Sequence, residues 1–579
     1  MTTFESLADE LLLDLFEFFN AIDLFRSFHG LNSRFNNLLL HLFRSYRLNL
    51  QGISKHDFNT LCMKYLPKTV DQTIALRLSN DDDTPQQLEY FFLQDNFLHR
   101  CTGLRSFCLC NVLSEEIMET ISFHLEHLPF LIRLDIIQCC IPTNPEDLLN
   151  FINRIWSLPK LLYCNLDIYI QDDMHFMAPT VTSSSLQCLS IKELQWDFNE
   201  INILLERTPS LQSLTINNYH IVDDFDIVIN VASLITLNLT FLTTNDEAII
   251  NILRNMTNLY YLTIDIYGVV IDGYQWEQII RNCTPKLRNF RLKEQITLFD
   301  QSQGDHRMDT LLESFKSAFW LRERQWFVRC DWKLTERFNA ISLYTLPYPF
   351  AKLTMESLLV SRSTLSQDIG HQSYHRVQEL DCTDFFLERT PSTDLYFPFV
   401  RYLTIELCIY DQVQSILPRL DRLTTLDISL FSNNSTLSQW SVLLNGTTSL
   451  HTLTINASLP SVIMPFIRHT NKSIRRLHFK VQEEWFDDEQ CAILINAPLT
   501  THCEILTIDV KNCNGVLDIV DKTINLRALK VRCEDDAWDF NSLLSGHDDF
   551  VQWLRKCLPK TCSITRNLHS LDYVHFWVR

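Results

Sequence analysis

The sequence predicts an α/β solenoid, in which a curved parallel sheet is backed by helices. Two observations support this fold. A short apolar phrase, L-x-x-L-x-L or a close variant, returns along most of the chain at intervals of 23 to 31 residues. The segments between the phrases carry apolar residues at helical spacing. Because no single unit can bury its apolar side alone, neighbouring units must stack on each other.

The phrase begins at nine positions before a break in the pattern and at seven positions after it. These starts are Thr73, Leu104, Leu131, Leu161, Leu186, Leu211, Leu234, Leu259 and Leu287, then Val377, Val400, Leu423, Leu450, Ile474, Cys503 and Leu526. The intervals lie within or just beyond the 20 to 29 residues expected of leucine-rich repeats. We therefore expect the function to depend on an extended surface rather than on a catalytic pocket.

Each phrase has the alternation of a strand with one buried face. In the unit that begins at Leu211, Leu214 and Ile216 point to one side of the strand, whereas Ser213 and Thr215 point to the other. The segments 201–206 and 249–254 have helical periodicity and are expected to pack behind the strands. The polar strand positions then form the concave surface that solenoids commonly use for binding.

Composition excludes several classes of function. The chain has 579 residues and a net charge of −20, which disfavours broad binding to nucleic acids because phosphate contacts require clustered Lys and Arg. No apolar run reaches the length of a membrane span, and the first ten residues are acidic where a secretion signal would be basic. The expected location is the cytoplasm or the nucleus, where the 18 cysteines serve as small hydrophobic residues rather than as disulfides.

No catalytic or ligand-binding motif is apparent. Only ten glycines occur, and the pair Gly268 and Gly273 has P-loop spacing without the Lys and Ser/Thr that a P-loop requires. Cys108 and Cys110 could be imagined as metal ligands, but no C-x-x-C pair or flanking His spacing accompanies them. We expect no enzyme activity, no cofactor and no metal site.

The first 45 residues depart from the repeat pattern and predict three short helices. The first begins near Asp9, and the next two begin near Asp23 and Ser33. One interpretation is a helical cap that shields the first repeat, as solenoids require. The order of residues favours a second interpretation.

That order resembles an F-box, whose pattern runs L-P-x-E-[LI]-[LI]-x-x-[IL]-F-x-[YF]-L, then D-L, then a basic-aromatic pair. The matching residues are Leu7, Glu10, Leu11, Leu12, Leu15, Phe16, Phe18 and Phe19, then Asp23 with Leu24 and Arg34 with Phe35. Ala8 departs from the pattern, since the family usually has Pro there, and no clear Trp ends the motif. The resemblance spans about 40 residues.

With the repeats, the chain resembles an F-box and leucine-rich-repeat protein, which implies the substrate-recognition subunit of a cullin-RING ubiquitin ligase. The eight residues Leu7 to Phe19 of the match would contact a Skp-type adaptor, and through it a cullin, or fill the core of the three helices. The repeats would hold a target protein. The alternative is a scaffold or regulator outside the ubiquitin system, in which the helices only cap the solenoid.

The predicted organisation is an F-box-like domain over 1–45, a linker helix over 46–72, repeats over 73–292, an interruption or degenerate repeats over 293–376, and repeats with a C-terminal cap over 377–579. The interruption contains Trp320, Trp326 and Trp332 at six-residue spacing. On one extended strand these side chains would share a face, unless a turn interrupts it. Core packing is the expected role of these aromatic residues, and a ligand-binding platform is the alternative.

The concave surface is expected to change its charge along the chain. Asp135, Asp167 and Asp265 make the early part acidic, and Asp381, Glu406 and Asp427 do the same after the break. The last units are basic instead and provide the predicted target-binding residues Arg476, His478, Lys480, Lys530 and Arg532, interrupted by Asp509. Neighbouring strands would bring these cations together, so the target is predicted to carry an acidic or phosphorylated segment.

Overall fold

We describe the protein from a computed structural model. The structure describes residues 4–578 except 17, 20, 44–46, 93–96, 143, 170–174, 193–197, 219–230, 242–245, 299–303, 335–338, 356, 366–373, 384–394, 411–413, 415, 418, 431–436, 537–547 and 568–569. Four of these gaps fall within the predicted interruption over 293–376, and those parts of it lie outside the described residues.

The strands follow the predicted phrases along the chain. The first twelve are β1 (Arg47–Asn49), β2 (Ala75–Ser79), β3 (Ser106–Cys110), β4 (Arg133–Cys140), β5 (Tyr163–Tyr169), β6 (Cys188–Lys192), β7 (Ser213–Asn218), β8 (Thr236–Phe241), β9 (Tyr261–Tyr267), β10 (Asn289–Leu298), β11 (Phe327–Leu334) and β12 (Asn339–Leu346). The others are β13 (Lys352–Thr354), β14 (Ser357–Ser363), β15 (Glu379–Asp381), β16 (Tyr402–Glu406), β17 (Thr425–Leu430), β18 (Thr452–Ala457), β19 (Arg476–Val481), β20 (Ile505–Val510), β21 (Ala528–Cys533), β22 (Ser563–Asn567) and β23 (Ser570–Trp577).

The described strands form two large sheets that are mostly parallel. In the first sheet, β1 to β10 lie side by side in chain order, and β12, β11 and β14 follow as antiparallel strands at its end. In the second sheet, β13 and β15 to β21 are parallel and in chain order, and the hairpin of β23 and β22 closes the end. Such an order requires a crossover between each pair of neighbouring strands, which is the arrangement that the recurring phrase predicts.

Helices occupy many of the crossovers. The α-helices are α1 (Asp9–Phe16), α2 (Ala21–Phe28), α3 (Ser33–Phe43), α4 (Lys55–Thr60), α5 (Leu66–Thr69), α6 (Gln87–Phe92), α7 (Phe97–Arg100), α8 (Glu115–Leu125), α9 (Pro145–Trp156), α10 (Phe198–Glu206), α11 (Asp246–Leu253), α12 (Gly273–Cys283), α13 (Gly304–Ser314), α14 (Leu437–Gly446), α15 (Pro460–Ile463), α16 (Asp488–Ile495), α17 (Cys513–Lys522) and α18 (Asp549–Cys557). Residues Leu61–Tyr65 and Phe319–Arg324 form short π-helices. Within the described residues, no helix has the length and apolar content needed to cross a membrane.

The recurring phrase supplies the core. All sixteen phrase starts are buried, from Thr73 to Leu526, and none is more than 3% exposed. Within a strand, burial alternates: in β8 the residues Leu237, Leu239 and Phe241 are buried, whereas the residues between them are half-buried. Burying a Leu or Ile side chain contributes about 1.5–3 kcal/mol, so the repeated phrase is the main source of stability.

The segment predicted as a linker helix, 46–72, contributes to the sheet. Its β1 pairs in parallel with β2 through Leu48 and Leu76, and it also contains α4 and α5. The first strand therefore precedes the first phrase that we identified at Thr73. The short β1 has a single buried Leu and lacks the full phrase, which explains why the sequence pattern missed it.

The predicted interruption is where the parallel order changes. After β10 the chain forms α13 and then β11 and β12, and β12 pairs antiparallel with β10. Trp320 lies on the π-helix Phe319–Arg324, which ends at Gln325 with a left-handed φ of 55°. The three Trp residues therefore do not share one strand. Trp320 is fully buried and Trp326 packs against it at 6.1 Å, consistent with the expected core packing.

Candidate functional site

The N-terminal helices α1 to α3 pack on one another through apolar side chains that are continuous with the core of the first sheet. Leu12 and Phe16 of α1 are fully buried. The ring of Phe16 lies 4.5 Å from that of Phe28 on α2, and Phe28 lies 5.4 Å from Phe35 on α3. These aromatic contacts, between centroids at favourable distances, hold the three helices together.

Arg34 of α3 fixes the start of α1. Its Nε donates to Oδ1 of Asp9 at 2.7 Å, and its guanidinium also donates to the backbone carbonyls of Leu7 and Glu5. Asp9 lies in the first turn of α1, where a carboxylate is also favoured by the helix dipole. Ala8 stands where the F-box pattern has Pro, whose ring would fix the backbone at the start of α1. Here Arg34 holds the same segment through hydrogen bonds.

The eight predicted adaptor-binding residues differ in how deeply they are buried. Leu12 and Phe16 belong to the helix core, Leu7 is half-buried and Glu10 is exposed. The other four are large apolar residues on the surface: Leu11 is 56% exposed, Leu15 36%, Phe18 88% and Phe19 39%. We call these four the N-terminal apolar patch. Leu11 and Leu15 lie on α1, and Phe18 and Phe19 follow directly after it, so this segment presents an apolar surface that a partner could cover.

Two of the five predicted target-binding residues form ion pairs with the first repeat. The guanidinium of Arg476 on β19 pairs with Asp83, and Nζ of Lys530 on β21 lies 3.2 Å from Oδ1 of Asp82. Burial, with the nearby charge of Asp81, raises the pKa of Asp83 to about 6 against the opposing effect of Arg476. These cations therefore join distant parts of the same chain.

The remaining three target-binding residues have different surroundings. Arg532 forms a paired contact with Asp509, with Nη2 at 2.8 Å from Oδ2. His478 shares a hydrogen bond of 2.8 Å with Thr507, and burial lowers its pKa to about 4. His478 is therefore uncharged at neutral pH and does not add to the positive charge of this surface. Lys480 is exposed, and its charge acts on Asp427.

Further contacts extend this junction between the first and last repeats, which we call the seam. Trp577 of β23 is fully buried and packs on Phe58 of α4 at 5.3 Å between ring centroids. The hydroxyls of Tyr90 and Ser563 share a hydrogen bond of 2.7 Å, and Arg527 donates to the carbonyl of Gly52. The seam thus combines an apolar centre with polar contacts, and it closes the chain on itself. The sequence pattern gave no indication of it.

Two acids on the sheet face that we predicted to be concave have a cation at the same level of the next strand. Asp167 of β5 is in register with Lys192 of β6, and their charged atoms are 3.4 Å apart. Asp509 on β20 and Arg532 on β21 repeat the arrangement. Parallel strands place such residues about 5 Å apart, which explains the pairing. The alternation of acidic and basic regions predicted from the sequence is therefore partly neutralised within the sheet.

A cavity of about 380 Å³ lies where the two sheets meet, between β9 to β12 and the segment 352–355. On one wall, Nζ of Lys293 lies 3.3 Å from Asp265 and 2.8 Å from the Tyr267 hydroxyl. Burial opposes the charge on Lys293, but Asp265 and nearby tyrosines outweigh it and raise its pKa. On the other wall, the Tyr344 hydroxyl donates to Asp331 at 2.6 Å. The sequence predicted Asp265 on the concave face but gave no sign of this cavity, because its walls come from separate units.

The cysteine side chains that the structure describes are mostly buried. Sγ of Cys108 and Cys110 are 3.8 Å apart, and both residues are buried on the same strand. Burial raises the pKa of Cys139 to about 12, and that of Cys140 to about 11. Thiols with such pKa values are inert at neutral pH.

Comparison with known proteins gives little further information. No protein-family model and no curated protein matches the chain. Among solved structures, a crystal structure of a TLR13–ssRNA13 complex aligns with 80% of this chain at 12% identity and a TM-score of 0.26. The chain spans 53% of that protein, so about half of its length. Overlap at this level carries no argument about function. An argument about function therefore depends on the large parallel sheets, their helices and the surfaces described above.

Proposed function

We propose that the chain is the substrate-recognition subunit of a cullin-RING ubiquitin ligase. In this proposal, the N-terminal helices are an F-box that docks on a Skp-type adaptor, and the parallel sheets are a leucine-rich-repeat solenoid that holds a target protein. Catalysis belongs to other subunits of the complex. The proposal rests on the resemblance of residues 7–35 to the F-box pattern and on the surface that these residues present.

The observation that carries the proposal is the N-terminal apolar patch. A helical cap that only shields the first repeat would turn its large apolar side chains inward. Here the core already contains Leu12, Phe16 and Phe35, whereas Leu11 and Phe18 are more than half exposed. Leaving a Phe or Leu side chain in water forfeits about 1.5–3 kcal/mol of burial energy. Such a cost is explained if a partner covers these side chains.

The sheets support the solenoid part of the proposal. Parallel strands follow one another in chain order in both sheets, and every phrase start is buried. For the target, the structure adds a condition: an anionic segment would have to compete with Asp82, Asp83 and Asp509 for the cations that we predicted to bind it. We therefore propose the adaptor surface as the first part of the function to test.

The test is co-purification of the full chain with a Skp-type adaptor. The variant Leu11→Ala/Leu15→Ala/Phe18→Ala removes most of the apolar patch and leaves the helix core intact. Leu11 and Phe18 are more than half exposed, so their changes should each alter the free energy of unfolding by no more than about 0.5 kcal/mol, whereas the change at Leu15, which is 36% exposed, should cost about 1–2 kcal/mol. We expect loss of the adaptor from the purified complex with an unchanged circular dichroism spectrum.

Two controls accompany this variant. Leu437→Ala/Val442→Ala/Ile493→Ala removes three apolar residues that are 44–52% exposed, from helices far along the chain, and it should retain the adaptor. Deletion of 1–45 should lose the adaptor as the patch variant does. If wild-type protein fails to bind the adaptor, or if the patch variant and the deletion both retain it, the ligase proposal is wrong and a scaffold outside the ubiquitin system takes its place.

A further inference from the structure

Three histidines from separate places in the sequence meet near the start of the first sheet. His99 lies on the short helix α7, His124 lies in the last turn of α8, and His127 lies just beyond that helix. His124 and His127 are three residues apart, so they lie on the same side of the helix end. His99 comes from the preceding unit, and only stacking of the two units brings it to the pair.

The three imidazoles converge closely. One ring nitrogen from each residue lies within 4.8 Å of one ring nitrogen from each of the other two. The ring centroid of His99 is 4.4 Å from that of His124 and 4.2 Å from that of His127, with both pairs edge-on. His99 and His127 are exposed and His124 is 8% exposed, so the cluster opens to solvent on one side.

His124 is the buried member of the cluster. Its Nδ1 is buried and has no hydrogen-bond partner within the described part of the chain. Neighbouring charges are engaged elsewhere, because Arg100 donates to the carbonyl of Pro67 at 2.8 Å and Glu126 pairs with Arg154 at 3.4 Å.

We propose that His99, His124 and His127 form a binding site for a borderline divalent transition metal, with Zn²⁺ as the main candidate. Three neutral imidazoles suit Zn²⁺, Cu²⁺ or Ni²⁺, whereas Mg²⁺ and Ca²⁺ require oxygen ligands. Tetrahedral Zn²⁺ with Zn–N bonds of about 2.0–2.1 Å needs nitrogens roughly 3.3 Å apart. The three nitrogens lie within 4.8 Å of one another in the structure, and rotation of the exposed His99 and His127 side chains can bring them to the shorter distance.

The site has three ligands from this chain and leaves the fourth position to water. A packing role for the cluster would be satisfied by ring contacts alone, namely the edge-on contacts among the imidazoles and the parallel stacking of Phe92 on His124. Packing gives no reason for a nitrogen of each imidazole to lie within 4.8 Å of a nitrogen of the other two, and it leaves Nδ1 of His124 without a partner among the described residues. The proposed metal site is independent of the adaptor-binding proposal, since it lies outside residues 1–45.

The experiment uses Co²⁺ as a spectroscopic substitute for Zn²⁺ on the full chain. The variant His99→Ala/His127→Ala removes the two exposed ligands and leaves the buried His124 in place. The matched control, His306→Ala/His451→Ala, removes two exposed histidines from other units. We expect wild type and control to bind one Co²⁺ with visible bands of tetrahedral geometry, and Zn²⁺ to displace it.

The ligand variant should bind Co²⁺ more than about 100-fold more weakly than the control, since even loss of a residue that only orients a metal ligand weakens binding by about 10–100-fold. As a second measurement on unaltered protein, Zn²⁺ should protect His99 and His127 from modification by diethyl pyrocarbonate. Three results would overturn the proposal: equal affinity in the variant and the control, absence of Co²⁺ binding to wild type, or a thiolate-to-cobalt charge-transfer band. The last result would assign the metal to Cys513, Cys533 and Asp535, which also lie close together.

Discussion

Glu294 provides a sharp test of the packing between α12 and β10. Its carboxyl is fully buried, and Oε1 accepts hydrogen bonds from Nε1 of Trp276 at 2.9 Å and from the backbone of Ile271 at 3.3 Å. Its other oxygen has no partner among the described residues. Burial raises the pKa of Glu294 from 4.5 to about 8, although the two hydrogen bonds oppose the shift. At neutral pH the group is therefore mostly protonated in the folded protein.

The sign and size of the effect on stability follow from linkage. Between pH 4.5 and 8 the folded protein binds a proton at Glu294 that the unfolded chain has released, so the stability contributed by this group is complete below pH 4.5 and is lost as the pH rises to about 8. The loss is about 1.4 kcal/mol for each pH unit well inside that interval. From pH 6 to pH 8, with titration of the folded state included, it amounts to about 2 kcal/mol, or about 50-fold in a local opening constant.

Glu294→Gln should remove this dependence, because the amide oxygen can still accept from Trp276 and the side chain cannot ionise. The measurement is hydrogen exchange of peptides that cover α12 and β10, compared between variant and wild type at the same pH so that intrinsic exchange rates cancel. We expect the variant to gain protection relative to wild type by about 50-fold more at pH 8 than at pH 6. If the ratio of protection between variant and wild type is the same at pH 6 and pH 8, the buried, protonated state of Glu294 is refuted.

Two further predictions concern the seam and the thiols. Trp577→Ala should cost about 3–5 kcal/mol and should increase hydrogen exchange at Phe58 and its neighbours, more than 500 residues away in sequence. The control Trp440→Ala removes a Trp of α14 that is buried to the same extent in the core of the second sheet, and it should leave the region around Phe58 unchanged. Equal protection near Phe58 in both variants would show that the seam does not hold in solution. Cys557 is exposed whereas most other described cysteines are buried, so Cys557→Ser should reduce the fast phase of labelling by a thiol reagent in native protein by one thiol per chain, and a fast phase of unchanged amplitude would contradict the exposure of Cys557.

The sequence alone determined the positions of the strands and the source of the core. The phrase that begins at Leu211 or Leu450 predicts a buried strand start because the pattern is local: six residues suffice to define an apolar face. The same local logic separated the N-terminal helices from the repeats. It failed at β1, where a three-residue strand carries too little pattern, and within 293–376, where antiparallel strands replace the periodic crossover.

The charged and functional groupings were decided by tertiary structure. A pattern read along the chain shows that Arg476 lies on a strand surface, but its partner Asp83 is 393 residues away and becomes a neighbour only when the last repeats meet the first. The same holds for the cavity around Lys293 and for His99 beside His124. Local sequence fixes what each strand and helix buries, whereas the small rotations between successive strands, added along the sheet, fix which distant surfaces meet. That sum depends on small rotations at every interface, and no single phrase encodes it.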